Sequence, residues 1–196
     1  MLFLGFGSGL PYILLISTST AWLRDVNVDL SYIGFFTWIT FTYTFKFAWA
    51  PLVDRFSIPF LAQYGHRKSW IAFMQILIFL SLLFISNIDP IENFILFCIV
   101  GATIAFAGSI QDIAIDAFRI EYAHISDQGN LAASYQLGYR LAIIAATSIA
   151  LIFADINGWS MTFKLMAGLM CLGLLGVIFS KEEKNKELGK LNFINS

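Results

Sequence analysis

Six apolar runs, each about 20 residues long, take up most of this chain of 196 residues. The hydrocarbon core of a bilayer is about 30 Å thick and offers no water to a peptide group, so runs of that length fold as helices that cross it. The spans predicted are roughly 2 to 23, 32 to 53, 70 to 87, 94 to 117, 131 to 154 and 161 to 180. The fold class is therefore all-α integral membrane. Residues 1–180 form one six-helix transmembrane domain, and residues 181–196, KEEKNKELGKLNFINS, form a polar cytoplasmic tail or the start of an inter-domain linker. A composition of 58% hydrophobic and only 13% charged residues agrees with this reading. The first run has no basic leader and no small-residue cleavage signal after it, so it reads as a retained span.

Within so apolar a chain the informative residues are the charges inside the spans, because a charged side chain at the bilayer centre costs about 2.5 to 3.5 kcal/mol on insertion scales. Asp112 and Asp116 end the fourth run in GSIQDIAIDAFR, Gly108 to Arg119, and their spacing places both carboxylates on one helix face. That face is expected to look into a bundle or a wet cavity. Asp112 lies about 7 to 8 Å from the end of its span, Lys46 about 10 Å from the end of the second, and Arg140 about 14 Å into the fifth. The three are at comparable depth, and pairing Asp112 with Arg140 or Lys46 lowers the cost of each. Asp112 and Asp116 are the candidate proton acceptors. Arg140 and Lys46 are the intramembrane cations, Arg able to hold a carboxylate as a bidentate fork and Lys only as a point charge. Asp116 can equally pair with Arg119. Gln111, Tyr12, Trp38, Tyr43 and Tyr139 add polar and aromatic side chains to the same spans. Gln75, Gln136 and Lys164 are expected in interhelical hydrogen bonds or at interfaces.

In the first span, Gly5 and Gly9 make a small-xxx-small face that admits close approach of another helix, and Pro11 removes a backbone donor and invites a kink. Arg55, Arg67, Lys68, Arg119 and Lys181, Lys184, Lys186 and Lys190 fall on one side of the membrane, with Arg24 nearly alone on the other. The positive-inside rule then places both termini in the cytoplasm. Trp22, Tyr32, Trp70 and Trp159 stand at span ends as an aromatic belt. Cys98 and Cys171 read as small core hydrophobes. Glu121, His124 and Asp127 have no metal-ligand spacing and read as a solvated loop, as does His66, so no metal is expected. A net charge of −1 excludes an electrostatic case for nucleic acid. Two aspartates on one helix cannot face each other across a cleft, which argues against an aspartyl protease, and no other catalytic constellation is present.

Together LGFGSGLP (Leu4 to Pro11), residues 33–56, SIQDIAIDAFR (Ser109 to Arg119) and LGYRLA (Leu137 to Ala142) resemble, in order, segments of the major facilitator superfamily and, within it, of AmpG-type muropeptide permeases. The superfamily's loop signature is present in loosened form. Ala50 stands at its first glycine, and residues 58–64 separate Asp54 and Arg55 from Gly65, His66, Arg67 and Lys68. Asp54, Arg55, Arg67 and Lys68 are the corresponding conformational-loop residues. The resemblance implies the amino-terminal half of a twelve-span fold, with an inverted three-plus-three repeat that aligns Lys46 and Arg140. It implies import of anhydromuropeptides (GlcNAc-anhydroMurNAc, with or without peptide) across the bacterial inner membrane, driven by the proton gradient, without a cofactor and without enzymatic chemistry. For such a substrate Lys46, Arg140, Gln111, Tyr12, Tyr43 and Tyr139 are the binding candidates, the two cations for its carboxylates and the tyrosines, with Trp38, as surfaces for its sugar rings. Related sequences imply acetyl-CoA as an alternative anionic cargo. A six-span chain would act by self-association or with a second six-helix half, or it is an inactive remnant.

Overall fold

A computed structural model of the chain describes residues 1–56, 58, 65–122 and 124–180; the polar tail predicted from residue 181 lies outside them. Among the described residues every regular element is helical. Five helices are long and apolar enough to cross a membrane: α1 (Leu2–Asp25), α3 (His66–Ile85), α4 (Phe94–Glu121), α5 (Ile125–Asn157) and α6 (Trp159–Phe179). The second predicted span, here α2, is instead a chain of short pieces: Leu30–Thr37, a 3-10 turn at Trp38–Thr40, Phe41–Thr44 and, after Phe45, Lys46–Arg55. Its sequence explains the break. Thr37, Thr40 and Thr42 turn their hydroxyls onto the carbonyls three residues back, at 2.6, 2.7 and 2.8 Å, which tightens the turn. The aromatic and β-branched run around them is a weak helix former, and Pro51 withholds one further ladder bond.

α1 is the hub, packing on α4, α5 and α6, while α3 packs on α4 and α6. Its glycines are the reason it can. A Cβ on Gly5 would collide with the backbone carbonyl of Tyr135, and one on Gly138 of α5 would collide with the carbonyl of Leu2. Gly9 faces the Tyr139 ring at 3.1 Å from where its Cβ would be. The small-xxx-small face expected at Gly5 and Gly9 is thus a backbone-to-backbone contact with α5. Pro11 is buried in α1 and is followed by a π-helical turn, Leu14–Thr18; α5 carries a second one at Ala145–Ile149. The two wide turns meet, and the Thr18 hydroxyl donates to the Ala146 carbonyl.

At the other end, Arg67 closes the bundle. Its guanidinium donates to Asp54 Oδ1 at 2.7 Å and grips Glu121 through Nη2 at 2.6 Å and Nε at 3.1 Å, so the ends of α2 and α4 are tied to the start of α3. Glu121 is therefore a structural acceptor and not part of a solvated loop. Lys68 donates to the Ser180 carbonyl at 2.8 Å, and His66 meets the Val53 carbonyl at 2.8 Å. Arg55 is exposed and makes no ion pair among the described residues.

Several assignments from sequence change. Trp22 is no belt residue: it is buried, against Phe97 at 5.3 Å and Phe163 at 5.0 Å between ring centroids. Neither cysteine is a fully buried core residue: Cys98 is half-buried against the core and Cys171 is exposed. Gln75, expected to bond across helices, is fully buried with its amide unpartnered, whereas Gln136 and Lys164 are exposed.

The glycine contact gives a direct comparison. Gly138→Ala should lower the thermal unfolding midpoint in detergent, by about 1–3 kcal/mol of overpacking, whereas Gly129→Ala, which meets open space on the same helix, should leave it unchanged or slightly raised. Arg67→Ala should destabilise by about 1–3 kcal/mol, and Arg67→Lys should recover part of that loss because it keeps the charge but not the fork. Equal midpoints for Arg67→Ala and the parent would show the clamp to be idle.

Candidate functional site

The intramembrane Asp112 lines a cavity of about 410 Å³. Tyr12 of α1, Thr40, Tyr43, Thr44 and Lys46 of α2, and Tyr139 of α5 complete most of its wall. The break in α2 is what turns this set inward, because Lys46 opens the piece after Phe45 and Tyr43 lies in the piece before it. Tyr12 and Tyr43 meet edge to face, ring centroids 4.8 Å apart. The Tyr43 hydroxyl is buried without a partner, and Gly108 of α4 leaves the space it occupies.

Asp112 is held by a hydroxyl, not by the cations expected for it. Ser8 donates to Asp112 Oδ1. The same Ser8 oxygen lies 2.6 Å from the Tyr135 hydroxyl, and since its one proton is spent on Asp112, Tyr135 is the donor of that bond. The chain Tyr135 to Ser8 to Asp112 links α5, α1 and α4. Neither Ser8 nor Tyr135 stood out in the sequence. The available signals were weak: a serine between glycines, and a tyrosine one turn before Tyr139.

The predicted pairing of Asp112 with Arg140 or Lys46 is replaced by another. Lys46 Nζ lies 3.8 Å from Asp116 Oδ2, and Arg119 Nη2 lies 3.6 Å from Asp116 Oδ1. Asp116 is one turn further along α4, which brings it level with the tip of Lys46 and three residues from Arg119. Lys46 and Asp116 are about half exposed and Arg119 about a quarter, and both distances are long, so the pairs are loose and screened. Arg140 is on the exposed face of α5 and makes no ion pair among the described residues. Gln111 turns away from the cavity. It is fully buried, with its Nε2 3.6 Å and that of Gln75 3.0 Å from the point where a Gly7 Cβ would be, and both amides lack partners. Trp38 is exposed. The structure thus gathers Asp112, Lys46, Tyr12, Tyr43 and Tyr139 at one site and leaves Gln111 and Arg140 outside its wall.

The site combines one carboxylate, one loosely held cation and three phenol rings in an apolar bundle. That set can take up a proton, balance an anion and cover a ring-shaped solute.

Comparison with known proteins identifies the fold to which this cavity belongs. The family model described as Major Facilitator Superfamily matches residues 1–192. The chain is 34% identical over 194 residues to the protein named "Putative transporter AmpG 4" of Rickettsia conorii, covering 98% of this chain and 47% of that one. It is 35% identical over 183 residues to the anhydromuropeptide permease of Escherichia coli K12, covering 93% of this chain and 37% of the permease. An uncharacterized protein of Haemophilus influenzae is 32% identical over 190 residues, covering 97% of this chain and 44% of that protein. The chain therefore spans less than half the length of these relatives. With apolar helices long enough to cross a membrane and a family match over almost its whole length, the chain belongs to the major facilitator superfamily of membrane transporters.

Proposed function

We propose that the chain is the six-helix portion of a secondary active transporter that imports anhydromuropeptides across a bacterial inner membrane, driven by the proton gradient. The observation that carries this reading is the placement of Asp112 on the wall of a tyrosine-lined cavity between α1, α2 and α5, with Lys46 beside it. The permease name printed for the E. coli relative supplies the cargo. Both termini lie in the cytoplasm on this reading, as the excess of Lys and Arg at the Arg67 end favours.

In this mechanism Asp112 takes the proton. While ionised it accepts from Ser8; once neutral it becomes a donor itself, and the hydroxyl chain through Ser8 to Tyr135 can reverse its polarity. Lys46 exchanges its loose pair with Asp116 for a substrate carboxylate, and Asp116 keeps Arg119 as its counter-ion. Tyr12, Tyr43 and Tyr139 cover the sugar rings. Arg140, exposed beside Tyr139 on α5, is the cation available to a peptide carboxylate that extends beyond the cavity.

A second reading is that this portion transports only when another six-helix half or a second copy covers its cavity face. The exposed apolar side chains Phe41, Phe45, Leu137 and Leu141 on the two helices that flank the cavity favour it, as does coverage of only 37 to 47% of the relatives cited.

The test is uptake of labelled GlcNAc-anhydroMurNAc by bacteria that lack their own importer, with and without a protonophore. Protonophore-sensitive uptake is expected. Asp112→Asn should reduce it to background at unchanged membrane abundance, and normal uptake by that variant would remove Asp112 from the mechanism. Lys46→Gln should raise the half-saturating concentration roughly tenfold, the loss expected for one charge-assisted contact. Uptake that appears only on coexpression with a second half would favour the second reading.

A further inference from the structure

We propose a second carbohydrate station at the Asp25 end of α1, formed by Arg24, Trp159 and Thr20 and selective for a sugar that bears a carboxylate. It rests on the transport reading and extends it by giving the anionic sugar a first stop on the periplasmic side.

A cavity of about 680 Å³ opens there. Thr20 and Arg24 of α1, Leu30 and Ile33 of α2, Leu151 of α5 and Trp159 of α6 are among its lining residues. The Asp112 cavity also lies between α1, α2 and α5. Tyr12, Ile16, Thr20 and Arg24 follow one another at four-residue intervals along α1, the first lining one cavity and the other three the second. The two cavities thus follow one another along α1, the second beginning at Ile16, about 6 Å from Tyr12, and reaching Arg24, about 18 Å from it, at helical rise.

Trp159 is half-buried and held in place on two sides. Its Nε1–H donates to Asp25 Oδ2 at 2.7 Å, and its ring lies nearly parallel to that of Trp22, centroids 6.2 Å apart and planes 9° apart. Trp22 is itself buried against Phe97 and Phe163, so the platform is rigid before any ligand arrives. A flat aromatic surface of this kind suits the C–H face of a pyranose ring. An interfacial anchor would offer its indole N–H to lipid headgroups, but here Asp25 already holds that group. Arg24 is exposed, with neither an ion pair nor a hydrogen-bond partner among the described residues, so its fork is open to a carboxylate. The Thr20 hydroxyl donates back to the carbonyls of Ile16 and Ser17, at 2.7 and 2.8 Å, which leaves its oxygen as an acceptor for a sugar hydroxyl. The station therefore presents one cation, one acceptor and one fixed ring, with the Asp25 carboxylate also on its wall and engaged at Oδ2 by the Trp159 indole.

The experiment titrates GlcNAc-anhydroMurNAc onto the chain in phosphatidylcholine nanodiscs, following tryptophan emission and equilibrium dialysis of the labelled probe. Arg24→Gln and Trp159→Phe should each weaken binding roughly tenfold or more, and the probe-dependent change in emission should vanish in Trp159→Phe. A probe with its carboxyl reduced to an alcohol should bind Arg24→Gln and the parent alike. Arg24 is exposed, so its replacement tests the station even if Trp159→Phe disturbs packing. Binding weakened by Lys46→Gln but untouched by Arg24→Gln would overturn the station and leave the transport reading intact; no binding by the parent would also overturn the station, with the transport reading decided separately by the uptake assay. Loss of phosphatidylglycerol retention in Arg24→Gln, with probe binding unchanged, would identify a lipid headgroup as the occupant and overturn the proposal.

Discussion

The approach of α1 to α5 without intervening side chains is the contact on which the rest of the structure depends. In a bilayer the lipid is as apolar as the helix surface, so helices associate by close packing and not by escape from water. Gly5 and Gly138 let each backbone meet the other helix's carbonyl. Only at that separation can Ser8 bridge Tyr135 and Asp112, and only then do Tyr12 and Tyr139 border one cavity. A larger side chain at either glycine would move the hydroxyl chain and the cavity wall together.

Polar groups are placed according to how much water they keep. Asp112 is held by the Ser8 hydroxyl and lines a cavity. Asp116 and Lys46 are half solvated and Arg119 partly so, where loose pairing costs little. Arg67 is nearly buried and accordingly makes multidentate bonds to two carboxylates. The clamp survives the residues inserted between Asp54 and Arg67 because it needs only the helix ends to converge, and α2, α3 and α4 converge there. Gln75 and Gln111 depart from this order, with two amides fully buried and unpartnered near Gly7, as does the unpartnered Tyr43 hydroxyl.

Much of the fold was legible in the sequence. The run lengths specified the long helices, the glycine pair marked the hub, and the cost of burying a carboxylate singled out Asp112. The second span shows where run length misleads. Its residues are apolar enough, yet threonine back-bonding, weak helix formers and Pro51 break it into pieces. Within the site, Lys46 was found but not its partner. One turn of α4 separates Asp112 from Asp116, and which of them a lysine on another helix reaches depends on how far α2 has slid along α4. Trp22 was misassigned for a similar reason, since its place near a span end says nothing of whether Phe97 and Phe163 stand beside it.

By itself the sequence determined that the chain crosses a membrane in helices and that α1 would be closely packed, because transfer of apolar surface, the need to satisfy every backbone amide and the absence of a Cβ are properties of single segments. Only the tertiary structure decided that Ser8 links Tyr135 to Asp112, that Asp116 holds Lys46, and that Arg24 and Trp159 line one cavity. Those are distances between helices. They follow from the register and rotation of each helix against its neighbours, which hydropathy leaves free and packing alone sets.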